Sequence, residues 1–321
     1  VDELLELVLS TTEAMEKAPR RFDEKAHHAL ARRAAAESIV LLKNEGGILP
    51  LKQGRKVALI GDFALTPRYQ GAGSSMVNPT RVDSLKEAME AAELHLTGCC
   101  AGYERSGKNN KAYLDEAVSQ AKRADVVLLC IGLDESSESE GLDRTHIGIR
   151  EGLYMGYRYY ETAEKAVRYP FGYGLSYTTF VYSDLKVSAD KVTFTLTNTG
   201  RCAGAEIAQL YVAKPDAAIF RPAKELKGFA KVFLKAGESK AVTIPLDDKT
   251  FRYWNVATDR WEVEGGSYRL LVGASVQDIR LTADITLPGT GAPDPYAGQE
   301  LPDYRTGTIQ NVPDAEFEAL L

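Results

Sequence analysis

Apolar residues follow a helix-and-strand pattern in the first half of the chain. Continuous apolar runs at 56–61 and 126–131 predict strands that are buried on both faces, and a third run at 39–42 predicts another strand. Apolar residues at helical spacing predict helices at 23–37, 83–92 and 111–123. Strands that alternate with helices indicate a parallel α/β sheet, whose binding crevice lies at the carboxyl ends of the strands.

The pattern changes after about residue 178 to short segments in which apolar and polar residues alternate. This period predicts seven strands, which form a β-sandwich. They are Val181–Val187, Lys191–Asn198, Glu206–Ala213, Lys227–Leu234, Lys240–Pro245, Tyr268–Gly273 and Ile279–Thr286. The last stretch is rich in Pro, Gly and Asp, and we expect it to wrap over other surfaces without a core of its own.

These patterns divide the chain into four parts, and the predicted fold class is an α/β layered domain followed by an all-β sandwich. The boundaries are a linker helix at 1–22, the α/β domain at 23–165, the sandwich at 166–287 and a C-terminal extension at 288–321.

Composition and charge narrow the classes of partner. The 45 acidic residues outnumber the 39 basic ones, and no stripe of Lys and Arg stands out, which argues against a nucleic-acid partner. No apolar run is long enough to span a bilayer, so we expect no membrane partner. The four histidines form no metal-ligand pattern, and neither a metal nor a cofactor is expected.

The cysteines bear on the compartment. Their spacing matches neither a metal site nor a disulfide framework, so we expect buried thiols in a reducing compartment, at 99, 100, 130 and 202. The first residues show no basic-then-apolar leader. These features favour the cytoplasm, with a secreted or periplasmic protein as the alternative.

An acidic loop follows the strand that is predicted at 126–131. Like charges disfavour ionisation, so a crowd of carboxylates can keep one member protonated as a proton donor. Its members are Asp134, Glu135, Glu138, Glu140 and Asp143. The alternative is an ordinary solvated acidic loop.

Two further segments have open interpretations. The Gly71–Ser75 loop lacks the third glycine of a dinucleotide site and the lysine of a phosphate loop, which argues against a phosphate-binding loop and favours a flexible connection unless a family resemblance gives it a role. Seven tyrosines between 154 and 177 form either a sugar-stacking platform or interface packing, and aromatic clusters at domain junctions more often pack.

Four segments resemble the C-terminal region of family 3 glycoside hydrolases. In chain order they are residues 34–51 (AAAESIVLLKNEGGILPL), 140–144 (EGLDR), 170–178 (PFGYGLSYT) and 226–232 (LKGFAKV). The resemblance covers nearly the whole chain and implies an α/β-sandwich domain joined by a hinge to a fibronectin type III-like domain.

The resemblance also implies roles for individual residues. It implies that Glu140 is the general acid/base, with Glu138 as the runner-up. Substrate contacts are implied for Asp143, Arg144, Ser74 and Ser75. The alternative to substrate contact for Asp143 and Arg144 is a structural ion pair between them that anchors the loop.

The resemblance implies two elements that this sequence does not show. The family's nucleophile is an aspartate on a (β/α)8 barrel, and no segment here resembles that barrel. The family also has several helices and strands where this chain has only residues 145–150. Either the sheet has lost about half of its elements, or the flanking residues are not neighbours in the native chain.

The resemblance implies that this chain is part of a retaining β-glycosidase. A β-glucosidase is favoured over a β-xylosidase, the partner is a β-linked oligosaccharide or glycoside, and the barrel of the same protein supplies the nucleophile. The alternative is a non-catalytic carbohydrate-binding or scaffolding module.

Overall fold

The structure, a computed structural model, describes residues 2–17, 23–74, 76–92, 94–106, 108–135, 153–309 and 312–318. The chain forms two compact units. The sandwich unit comprises Val1–Lys43, Ala166–Ala217 and Ala223–Pro293. The α/β unit comprises Asn44–Lys165, Ala218–Pro222 and Asp294–Leu321.

The helices are α1 Asp2–Lys17, α2 Glu24–Ser38, α3 Leu85–Ala91, α4 Lys111–Ala121, α5 Tyr157–Thr162, α6 Pro302–Thr306 and α7 Asp314–Glu318. The strands are β1 Lys56–Ile60, β2 His95–Cys100, β3 Val126–Leu129, β4 Phe180–Val187, β5 Lys191–Asn198, β6 Gly204–Ala213, β7 Glu225–Leu234, β8 Ser239–Pro245, β9 Arg252–Asn255, β10 Arg260–Val263, β11 Gly266–Gly273 and β12 Ile279–Leu287. None of the helices in the described ranges is both long and apolar enough to cross a bilayer.

The α/β unit is built on a parallel sheet with strand order β2-β1-β3. Its middle strand is buried on both faces, with Val57 and Leu59 fully inaccessible to solvent. Met89 of α3 packs against one face, and Ala117 of α4 packs with Ile60 on the other. The parallel α/β arrangement predicted from the apolar runs is therefore confirmed.

Side-chain caps fix the start of the two helices that cover this sheet. Ser84 and Glu87 form a reciprocal capping box at α3, in which the Glu87 amide donates to Ser84 Oγ at 3.2 Å. Asn110 caps α4 by accepting a hydrogen bond from the Tyr113 amide at 3.3 Å. Each cap satisfies a backbone donor that the first helical turn leaves without an internal partner.

A second core in the α/β unit joins distant parts of the sequence. Its buried members are Tyr154, Tyr159, Phe220, Leu301, Tyr304, Ile309 and Val312. The Tyr154 hydroxyl donates to the Tyr304 carbonyl, and burial raises the pKa of Tyr154 to about 12. Tyr154 and Tyr159 therefore serve packing, and the final stretch of the chain contributes to this core.

The sandwich unit contains a four-stranded sheet of order β12-β11-β6-β7 and a three-stranded sheet of order β4-β5-β8. Alternate residues of each strand face a shared core, as in β5, where Val192, Phe194 and Leu196 are buried. All seven predicted strands are present, which confirms the predicted β-sandwich. The prediction succeeded because apolar and polar residues alternate strictly along these strands.

Three local features differ from the sequence-based expectation. The strand predicted at 39–42 is reduced to an isolated bridge between Leu41 and Leu175, and Ile39 is 80% exposed. An additional hairpin, β9–β10, was not predicted. Cys202 is exposed rather than buried because it lies in the turn after β5, whereas Cys100 is buried and Cys99 and Cys130 are half-buried.

A carboxyl group lies within the sandwich, on the inward-facing side of β6. Glu206 Oε1 accepts a hydrogen bond from the Tyr182 hydroxyl at 2.8 Å. Burial raises the pKa of Glu206, and the Tyr182 hydrogen bond and the Arg280 charge only partly offset this effect. Ionisation of Glu206 is therefore less favourable in the folded chain than in the unfolded one.

This environment predicts a pH-dependent effect of Glu206→Gln. Below the ordinary glutamate pKa of 4.5 the carboxyl is protonated in both states, and above it the unfolded state ionises first, so wild-type stability is lost as pH rises through the raised pKa. Glutamine cannot ionise and keeps an acceptor for Tyr182. We expect the variant to gain stability over wild type at pH 7 and to lose that gain at pH 4.

Urea unfolding followed by tryptophan fluorescence measures this, since both tryptophans lie in the sandwich unit. Asp284→Asn is the control, because Asp284 pairs with Arg269 on an exposed surface and such pairs contribute little. An equal effect of Glu206→Gln at both pH values would contradict the prediction.

Candidate active site

The carboxyl end of the parallel sheet is closed by a glycine. Gly61 follows β1 and has a φ of 125°, and a Cβ at this position would lie 2.1 Å from the Cys130 carbonyl oxygen. The Gly61 amide donates to Cys100 O at 2.9 Å, and the Cys130 amide donates to Ile60 O at 2.7 Å. The close approach of the three strand ends therefore requires glycine at this position.

Charged residues follow each of the three strands and meet at this edge. Asp62 follows β1, Arg105 lies on the segment after β2, and Glu135 lies on the segment after β3. The Arg105 guanidinium donates to Asp62 and to the Thr66 carbonyl, and its Nη1 lies 3.8 Å from Glu135 Oε1. We call Asp62, Arg68, Arg105 and Glu135 the strand-end cluster.

Arg68 completes this cluster from the loop after β1. Its Nη1 donates to the Leu133 carbonyl at 2.9 Å, and its Nε lies 4.0 Å from Glu135 Oε1. Formal charges within the cluster balance, with two guanidinium and two carboxylate groups. Glu135 therefore faces two cations, and its environment is not the purely acidic one that the carboxylate crowd suggested.

An aromatic ring forms one wall of the strand-end cluster. The Arg105 guanidinium carbon lies 4.4 Å from the centre of the Phe63 ring, a cation–π distance. A Cβ at Gly132 would lie 3.3 Å from the same ring, so Phe63 packs closely over the chain that leaves β3. The Tyr103 hydroxyl donates to Cys130 O, and burial raises the pKa of Tyr103.

The Gly71–Ser75 loop is closed by one side chain. Gln70 Oε1 accepts from the Val77 amide at 2.9 Å, and Gln70 Nε2 donates to the Val77 carbonyl at 3.3 Å. These two bonds tie the ends of the loop together. Ser74 is exposed within it.

Most of the predicted site residues lie outside the described residues. These are Glu140, its runner-up Glu138, and the predicted substrate contacts Asp143, Arg144 and Ser75. Their roles stay predictions, as does that of Ser74. Among the described residues, no group of three or more His, Cys, Asp or Glu side chains is arranged to hold a metal ion.

Sequence reasoning missed Asp62, Arg68 and Arg105. One signal was available, because Asp62 directly follows a strand that was predicted to be buried, at the edge where α/β proteins bind ligands. No such signal pointed to Arg105, because no residue range was predicted for the strand that precedes it, β2.

Comparisons with known proteins found a matching protein family for each of the two units. The glycosyl hydrolase family 3 C-terminal domain matches residues 39–155, and the fibronectin type III-like domain matches residues 206–276. An exo-α-(1→6)-L-arabinopyranosidase of Bifidobacterium breve is 34% identical over 91% of this chain and 53% of its own length. Thermostable β-glucosidase B of Acetivibrio thermocellus is 33% identical over 90% of this chain and 52% of its own length.

A solved structure agrees with these relatives. The crystal structure of a family 3 β-glucosidase from Bifidobacterium adolescentis superposes with a TM-score of 0.80 at 35% identity, covering 90% of this chain and 57% of that one.

The matches cover most of this chain but only part of each relative. The chain spans about half the length of the curated relatives it matches. The Bifidobacterium breve match extends over 400 positions, whereas 91% of 321 residues is about 292, so about 108 positions of the match have no counterpart here. Residues 145–150 remain the predicted place for them. With its α/β domain followed by a fibronectin type III-like sandwich, the chain is similar to the C-terminal portion of family 3 glycoside hydrolases.

Proposed function

We propose that this chain is the acid/base-bearing part of a retaining glycosidase that removes terminal β-linked sugars, most closely a β-glucosidase. Glu140 is the general acid/base, and an aspartate on a (β/α)8 barrel outside this chain is the nucleophile. A β-xylosidase is the second substrate class.

The strand-end cluster is the observation that carries this proposal. It gathers charged side chains from three separate segments at the edge of the sheet where α/β domains bind ligands. Glu135, which takes part in it, lies five residues before Glu140 in the sequence. The family relatives, named as β-glucosidases and an arabinopyranosidase, support glycoside hydrolysis as the chemistry.

Retention of anomeric configuration requires two carboxyl groups about 5–5.5 Å apart. One attacks the anomeric carbon and forms a covalent glycosyl-enzyme. The other protonates the departing oxygen and then removes a proton from the water that completes hydrolysis. In this mechanism Glu140 transfers the protons, and the barrel aspartate attacks the anomeric carbon.

The strand-end cluster has a supporting role in this mechanism. Arg68 holds the segment that leaves β3 by donating to two of its carbonyl groups, and Arg105 adds a longer contact with Glu135. These contacts fix the described residues that precede Glu140 in sequence. A misplacement of about 1 Å can cost about 10²-fold in rate, so a fixed position of the segment before the proton donor contributes to rate.

A non-catalytic carbohydrate-binding or scaffolding module is the second candidate. A protein that binds glycosides but turns over none of them, even at full length, would support this candidate against the enzyme.

Replacing Glu140 by alanine in the full-length protein tests the central assignment. We expect turnover of an alkyl glucoside, whose leaving group needs a proton, to fall by about 10²–10⁴-fold. An activated aryl glucoside needs no proton to leave, so its glycosylation step should be spared. Steady-state and pre-steady-state rates on both substrates give the comparison.

Glu138→Ala is the matched control, because it removes a carboxylate from the same loop. We expect it to leave both rates within a few-fold of wild type. If Glu138→Ala lost alkyl glucoside turnover and Glu140→Ala kept it, the two assignments would be exchanged.

The chain by itself should hydrolyse no glycoside. Without the nucleophile no covalent intermediate can form, and proton donation alone contributes about 10²–10⁴-fold, far below ordinary enzymatic acceleration. Release of nitrophenol from an aryl β-glucoside by the purified chain measures this. Activity at an enzymatic rate that disappears on Glu140→Gln would mean that a second carboxylate within these residues is the nucleophile.

Arg105→Ala should loosen the strand ends in the isolated chain. It removes charge-assisted hydrogen bonds to Asp62 and to the Thr66 carbonyl, which together stabilise by about 1–3 kcal/mol. Faster hydrogen exchange of the Leu59 and Leu128 amides at the sheet centre would report this loss.

Arg81→Ala is the control for Arg105→Ala. Arg81 pairs with Asp83 where both side chains are mostly exposed, so we expect a change of about 0.5 kcal/mol or less. Equal exchange rates in the two variants would contradict a structural role for Arg105.

A further inference from the structure

Both tryptophans of the chain lie on one short hairpin and face solvent. Trp254 of β9 and Trp261 of β10 are 44% and 53% exposed, and the sequence contains no other tryptophan. Tryptophan is enriched at interfaces, because it combines a large apolar ring with a polar N–H group.

The two indole rings are held in a fixed relative position. They are direct cross-strand partners, with ring centres 5.4 Å apart and planes at 74°. The Arg252 guanidinium carbon lies 4.3 Å from the centre of the Trp261 ring, and Arg252 Nη1 donates to Asp248 Oδ2 at 2.7 Å. These contacts limit the rotamers of both rings, so a ligand would bind to a surface that is already ordered.

The opposite side of the hairpin anchors it to the sandwich unit. Asn255 is fully buried, its Nδ2 donates to Pro293 O at 2.9 Å, and its Oδ1 accepts from the Ala257 amide at 2.9 Å. Val263, at the end of β10, packs against the sandwich core. The hairpin is therefore held from its other face, and the exposed halves of the indoles are free to contact a ligand.

Stabilisation of the hairpin alone accounts for only part of this arrangement. A cross-strand aromatic pair contributes about 0.2–1 kcal/mol, and this gain does not require half of each ring to stay in water. The combination of an aromatic surface with a charged donor and acceptor beside it matches a pyranose ring. Such a ring presents an apolar C–H face for stacking and equatorial hydroxyl groups for hydrogen bonds to Arg252 and Asp248.

We propose that the Trp254–Trp261 hairpin is a saccharide-binding site for a β-linked glucan chain, separate from the strand-end cluster. The choice of a β-glucan as ligand rests on the proposed function. Neutral saccharide is favoured over nucleic acid, which also stacks on aromatic rings, because the chain carries a net charge of −6 and Asp248 pairs the local arginine.

The absence of other tryptophans makes the test direct. Titration of the purified chain with cellopentaose, a soluble β-1,4-linked glucose pentamer, should change the tryptophan emission in a saturable way. In a two-dimensional NMR spectrum, the two indole N–H resonances should shift with the same midpoint. Isothermal calorimetry gives the affinity for variants that lack the fluorophore.

Trp261→Ala should weaken cellopentaose binding by about tenfold or more, and Trp261→Phe should recover part of this loss because it keeps an aromatic face. Phe233→Ala is the matched control, since Phe233 is an aromatic residue of the same unit that is 65% exposed. We expect it to bind like wild type. Thermal unfolding of each variant shows whether the sandwich unit remains folded.

Three results would overturn the proposal. The first is an unchanged emission and unchanged indole resonances at millimolar cellopentaose. The second is equal affinity of wild type and a folded Trp254→Ala/Trp261→Ala double variant. The third is an emission that changes with protein concentration in the absence of sugar, which would assign the hairpin to contact between two copies of the chain. The titration requires no catalysis, so its outcome and that of the hydrolysis assays are independent.

Discussion

The close approach of strand ends at Gly61 is the constraint on which the α/β unit depends. The backbone there runs so near to Cys130 that any side chain would overlap its carbonyl oxygen. The Gly61 amide, one residue beyond β1, donates to the Cys100 carbonyl, and the Cys130 amide, one residue beyond β3, donates to the Ile60 carbonyl. Because the sheet stays closed to its last residue, the segments that follow the three strands leave it side by side.

This closure determines where the charges lie. Asp62, Arg105 and Glu135 are separated by 43 and 30 residues in sequence, and they meet because parallel strands place their carboxyl ends at one edge. The contacts with Glu135 are long and partly solvated, so they contribute little to stability. The Arg105 bond to Asp62 is less exposed, and together with the bond to the Thr66 carbonyl it ties two strand exits together.

Parts of the molecule with a strict local period could be predicted from the sequence. All seven sandwich strands follow from period-two alternation, and β1 and β3 follow from short apolar runs. The β9–β10 hairpin was missed because Trp254 and Trp261 face solvent, so apolarity does not mark burial there. Asp62, Arg68 and Arg105 of the strand-end cluster were missed for another reason: their contacts with Glu135 and with each other depend on strand order, which no local pattern of residues encodes.

Strand β3 has a consequence for how the chain behaves at high concentration. Within the described part of the chain it pairs only with β1, and Val127 and Leu129 are 41% and 58% exposed. A sheet edge with unpaired backbone groups and accessible apolar side chains is a template for strands of other molecules. Natural proteins protect such edges with charges, proline or a covering element, and β3 itself consists only of Val126, Val127, Leu128 and Leu129. Among the described residues, β3 is therefore an aggregation-prone edge, and it is the strand that precedes the candidate acid/base in sequence.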